Sequence, residues 1–107
     1  MTTKPNIKQD KWKLVGRFGV DAGIVWIGDP CYIIHTDEMP KTIGKDWGEF
    51  CNLLGDDYPT MKSFGFTKDG SDGLGICLST GYGDGEYPVY ARIEQGRIVQ
   101  IYIDFDE

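Results

Sequence analysis

The chain has 107 residues, a formal net charge of −6 and 40% hydrophobic residues, enough for a folded core without disulfides or a structural metal. Its acidic balance disfavours a surface that grips long nucleic acid, which needs a basic face, and no apolar run is long enough for a membrane helix. Three widely spaced cysteines, Cys31, Cys51 and Cys77, suit reduced thiols in a cytoplasm, and the polar stretch Met1–Asn6 lacks the apolar region of a secretion signal.

Residues 1–10 are polar and aperiodic, which predicts a flexible N-terminal arm ahead of a single β-rich domain over 11–107. From Trp12 the pattern alternates, with Trp12, Leu14, Phe18 and Val20 on one face and Lys11, Lys13 and Arg17 on the other. Gly16 interrupts the apolar set and marks a bulge or a close approach. Asp21-Ala22-Gly23 reads as a three-residue hairpin loop with glycine in its left-handed position. That register sets Val20 against Ile24 and Phe18 against Trp26. Pro30 ends the second strand because it cannot donate to a ladder. Cys31–Ile34 then reads as another short strand, and residues 36–45 as loop.

One helix is predicted, over about 47–54. Asp46 and Glu49 have capping-box spacing. Trp47, Phe50, Cys51 and Leu54 recur at helical intervals, and Gly55 stands where a left-handed cap belongs. Phe64–Thr67 and Leu74–Leu78 are strand patterns around the turn-rich 68–73. Next comes Thr80-Gly81-Tyr82-Gly83-Asp84-Gly85-Glu86-Tyr87-Pro88-Val89-Tyr90, a glycine loop that runs into the last hairpin. There, a three-residue loop Glu94-Gln95-Gly96 would pair Ala91 with Val99 and Val89 with Ile101. This builds one apolar face and leaves Tyr90, Arg92, Gln100 and Tyr102 on the other. The sum is an α+β fold, mostly antiparallel β: a hairpin-built curved sheet or partly open barrel with one short helix.

Little in the chain points to catalysis. A Cys31/His35 pair has no orienting third group, and no nucleophile-elbow motif is present. Asp69–Gly73 resembles part of a calcium loop but lacks the closing acidic residue, and no Cys/His cluster suits zinc. Asp21, Asp29, Asp84 and Glu86 would hold a divalent ion only if their loops converged, whereas Asp21 and Asp84 are ordinary turn formers. Gly81–Gly85 matches neither the P-loop nor the dinucleotide fingerprint, since a strand follows it. Glycines there suit close approach of backbone or ligand. The tyrosines and Arg92 suit a stacked flat ring or an interface.

Val20–Gly23 leading into Trp26–Tyr32, together with Thr80–Tyr90 and a closing hairpin, resembles a set of small uncharacterised proteins of bacteria and their phages. The ending is similar to that of a bacterial domain of unknown function. The resemblance implies a bacterial or phage cytoplasmic setting and brings no catalytic residues. The reading that results is non-enzymatic binding of a small polar ligand of nucleotide type, without a cofactor. In a phage setting such a binder would sequester a host immune signal. Its site is expected at Asp29, Tyr32, Gly81, Tyr82, Gly83, Asp84, Tyr87, Tyr90 and Arg92. The alternatives are an interaction module or homo-oligomer built on the tyrosine face, and a metal-dependent small hydrolase.

Overall fold

In a computed structural model, which describes residues 11–34, 41–67, 69–81 and 83–106, six strands form two three-stranded antiparallel sheets. The strands are β1 (Trp12–Val20), β2 (Ile24–Gly28), β3 (Met61–Gly65), β4 (Gly73–Ser79), β5 (Gly85–Glu94) and β6 (Arg97–Ile103). One sheet has the order β1-β5-β6 and the other β2-β4-β3. The helices are α1 (Cys31–Ile34) and α2 (Trp47–Leu54), with a 3-10 turn at Lys41–Ile43 between them. The fold is thus α+β and mostly antiparallel, with open sheets and no closed barrel. Chain contacts group these elements into two compact units, a terminal one with β1, β5 and β6 and a central one with β2–β4 and both helices. The expected N-terminal arm and His35 lie outside the described residues. No described helix is long and apolar enough to cross a membrane.

The central unit forms around Trp26. Its indole lies flat over the cross-strand pair Gly28↔Gly75, where a Cβ on Gly28 would come within 2.7 Å of Nε1 and one on Gly75 would overlap the ring. Trp26 contacts Phe64 and Phe50 at ring separations of 5.7 and 6.0 Å, and Phe50 stacks on Phe64 and on Trp47. Ile43, Phe64, Leu74 and Cys77 are the buried heart of this unit, with Ile24, Ile33 and Leu54 packed against it. Helix α2 takes the predicted bounds. Asp46 Oδ1 accepts from the Glu49 amide at 2.9 Å, and Gly55 ends the helix at φ 77°. Trp47 rides on Phe50 and remains 59% exposed.

Three expectations are corrected. β1 and β2 do not form a hairpin: Val20 faces Gly85 and Phe18 faces Tyr87, while Ile24 faces Ser79 and Trp26 faces Cys77. Gly23 does take the left-handed conformation, φ 73°. Its carbonyl, however, accepts from the Thr80 amide at 3.0 Å instead of closing a β1–β2 loop. Strand lengths explain the choice, because ten-residue β5 satisfies the backbone of nine-residue β1 and five-residue β2 could not.

Cys31–Ile34 is helical, not extended. Asp29 Oδ1 accepts from the Cys31 amide at 3.0 Å, and the Ile33 and Ile34 amides both donate to the Pro30 carbonyl. Asp followed by Pro is a helix-start signal, and here it outweighs the β-branched pair Ile33-Ile34.

The last hairpin closes through a two-residue turn, Gln95 (φ 51°) and Gly96 (φ 76°), with Glu94 facing Arg97. Positive φ at both positions matches the strand twist. A single-residue bulge at Val99 then restores the alternation, so Ala91 faces Ile101 and Val89 faces Ile103. The expected faces survive, by a different register.

Gly75→Ala is expected to destabilise the chain by about 1–3 kcal/mol through overpacking against Trp26. Gly19→Ala, where a Cβ meets nothing within 4 Å, should change stability little. Urea unfolding midpoints at constant m-value check both.

Candidate functional site

β5 is the central strand of the terminal unit, so its side chains have neighbours on both sides. Two consecutive cross-strand rows lie on one face: Trp12–Arg92–Gln100 and Leu14–Tyr90–Tyr102. Trp12 meets Tyr102 edge-on at 6.1 Å, and Tyr90 and Tyr102 lie 6.4 Å apart at 35°. Arg92 Nε donates to Gln100 Oε1, and its Nη1 contacts Glu94 Oε1 at 2.7 Å, with Lys11 Nζ 3.6 Å from the same oxygen. The guanidinium is thereby held in place beside the rings. The three rings are half-buried, and Leu14 and Gln100 are exposed. An aromatic platform with an adjoining cation and a side-chain amide can stack a flat ring and hydrogen-bond its edge.

Tyr90 and Arg92 are the two expected site residues that the structure brings together on this face. Trp12 and Leu14 join them because Val15 is bulged. Past it Gly16 faces Val89 and Phe18 faces Tyr87, so Phe18 and Val20 turn to the opposite face. The single continuous face expected for Trp12, Leu14, Phe18 and Val20 is therefore split in two. The one sequence signal was Gly16, immediately after the bulge.

The remaining expected residues sit elsewhere. Tyr87, 6% exposed, is on the face opposite Tyr90, packed against Phe18 and edge-on to Phe105 at 5.2 Å. Gly83 (φ 76°) and the exposed Asp84 precede β5 in the terminal unit, whereas Gly81 (φ 88°) closes the central one. Tyr82 lies outside the described residues. Asp29 and Tyr32 belong to the central unit, where Tyr32 meets Phe66 edge-on at 4.8 Å. Among the described residues, no three His, Cys, Asp or Glu side chains are placed to hold a metal ion. Of the carboxylates considered for one, Glu86 is paired with Arg17 at 3.0 Å.

Described residues of the central unit line two hollows. One, about 290 Å³, is lined by Trp26, Ile33, Ile43, Trp47 and Phe50. The other, about 730 Å³, lies beside α2 and β3, with Glu49, Asn52, Lys62 and Asp69 among its walls.

Asp29 and Cys31 are coupled at the surface. The Cys31 amide, and then its thiol, hydrogen-bond the Asp29 carboxylate and hold its pKa below the usual value. Reciprocally, the hydrogen bond to Asp29 raises the Cys31 thiol, with desolvation and the carboxylate's charge acting in the same sense. Because the carboxyl ionises lower in the folded chain, the cap adds stability above the ordinary carboxylate range and loses it as pH falls through the lowered value. Asp29→Asn should therefore make Cys31 alkylate several-fold faster at pH 8, since the thiolate is the reactive form. Mass spectrometry of the Cys31 peptide checks it.

No curated protein and no solved structure matches the chain. A family model described as a protein of unknown function, DUF4241, matches residues 6–103. That span takes in all six strands, from Trp12 to Ile103, and the chain belongs to the DUF4241 family.

Proposed function

We propose that this protein is a non-enzymatic binding module that receives a small, flat, polar ligand of nucleotide type on the Trp12–Tyr90–Tyr102 face. The observation that carries the reading is the pair of rows Trp12–Arg92–Gln100 and Leu14–Tyr90–Tyr102. They place three half-buried rings beside a guanidinium held by Gln100 and Glu94. Holding a charged side chain in one geometry costs conformational entropy before any ligand arrives, which favours affinity. Stacking accepts any base through its π-face, while Gln100 and Arg92 supply an acceptor and donors for a polar ring edge. A ligand phosphate would compete with Glu94 for Arg92.

The free thiols of Cys31, Cys51 and Cys77 fit a cytoplasmic protein. A bacterial or phage source, in which the ligand is a signal held out of circulation, completes the proposal.

Native mass spectrometry of the protein as purified, then after addition of mono-, di- and cyclic nucleotides, is expected to show a ligand in fixed ratio to protomers. Tyr90→Ala and Arg92→Ala should each weaken binding about ten-fold or more, the scale of one lost base–aromatic stack. Tyr32→Ala should leave it unchanged. Absence of uptake across the panel, or unchanged affinity in both β5 variants, refutes the reading.

A further inference from the structure

We propose, resting on the ligand reading of the Trp12–Tyr90–Tyr102 face above, that this site selects guanine nucleotides over adenine nucleotides, holding the base by its O6 and N7 acceptors.

The selectivity follows from which polar atoms of the face are already engaged. Arg92 and Gln100 are cross-strand partners, and either type of side chain can read a purine edge by itself. A free glutamine amide suits adenine, whose N7 accepts and whose N6 amino group donates. A guanidinium suits guanine, whose N7 and O6 both accept. Here Gln100 Oε1 accepts from Arg92 Nε. That contact fixes which end of the amide carries the oxygen, and it engages the acceptor that adenine N6 would need. Arg92 Nη1 contacts Glu94 Oε1 at 2.7 Å, an oxygen that Lys11 Nζ approaches to 3.6 Å. Gln100 Nε2 and Arg92 Nη2 have no partner among the described residues, and both are donors only. Two donors match two acceptors. Guanine satisfies both with O6 and N7, whereas adenine sets its N6 amino group against one of them, donor facing donor.

The surroundings act in the same sense. Lys11, Arg92 and Glu94 together carry one net positive charge, which favours the electron-rich O6/N7 edge. Arg92 is half-buried and tied at two of its three nitrogens, so its remaining donors are preorganised. Rows on one face of a strand lie about 7 Å apart, so a base stacked on Tyr90 and Tyr102 meets the Arg92–Gln100 row with one edge. Glu94 belongs to the next row, opposite Arg97.

Isothermal titration calorimetry of the full chain with GMP, IMP, AMP and 7-deaza-GMP tests this. GMP and IMP share O6 and N7, and are expected to bind alike and about ten-fold or more tighter than AMP, the scale of one bidentate base contact. The 7-deaza compound, which lacks the N7 acceptor, should lose most of that margin. Gln100→Glu exchanges the amide donor for an acceptor. With circular dichroism as the check on folding, it should bring the GMP-to-AMP affinity ratio close to one, whatever it does to either affinity. AMP bound as tightly as GMP, or a ratio that Gln100→Glu leaves unchanged, overturns the selectivity while the ligand reading stands. No uptake of any of the four overturns both.

Discussion

Side chains along a strand alternate between the two faces of a sheet, so one extra residue in a strand moves everything beyond it to the other side. Three such insertions decide which residues meet in this protein. Val15 turns Trp12 and Leu14 away from Phe18 and Val20 and sets them beside Arg92 and Tyr90. Val99 corrects the odd register left by the tight Gln95-Gly96 turn and brings Gln100 and Tyr102 onto the same face. Leu74 interrupts the β3–β4 ladder and is itself 1% exposed, buried within the central core. The aromatic platform depends on the first two, because a regular ladder would have dispersed its members.

The central unit rests on a second constraint, the flatness of the Gly28↔Gly75 pair. Removing two side chains from one face opens a slot one indole thick, and Trp26 fills it. The ring then serves as the floor on which Phe64 and Phe50 pack, each such contact contributing about 0.5–1.5 kcal/mol beyond the area it buries. Trp26 Nε1 is buried without a hydrogen-bond partner. That costs stability, so the packing must outweigh an unmet donor.

How far the candidate site was legible follows from the range of each interaction. Asp46, Glu49 and Gly55 act within one turn of chain, and helix α2 falls where they place it. The Asp29-Pro30 start of α1 was equally local, yet Ile33-Ile34 masked it, and the segment reads as strand. Parity along each strand joins Tyr90 with Arg92 and Gln100 with Tyr102, and the apolar alternation of the two strands calls for both pairs on one face, which the Val99 bulge achieves. Trp12 and Leu14 belong with them only through β1's pairing with β5, about 80 residues away in sequence, and no local pattern encodes that. Tyr87 looks like a site residue because it sits in the glycine loop's wake. Its parity on β5 sends it into the packing with Phe18 and Phe105 instead.

Alternation, capping and turn chemistry thus determined from sequence alone that the chain is mostly antiparallel β with a helix at 47–54, that Gly23 is left-handed, and that a mixed tyrosine–arginine face exists. These features depend on residues a few positions apart, where φ/ψ preference and side-chain periodicity dominate. Partner choice was decided only by the tertiary structure: β1 with β5, β2 with β4, and the bulges at Val15, Leu74 and Val99. Several pairings satisfy the same apolar pattern, and the selection is made by matching strand lengths and burying whole faces, quantities that exist only once distant segments meet.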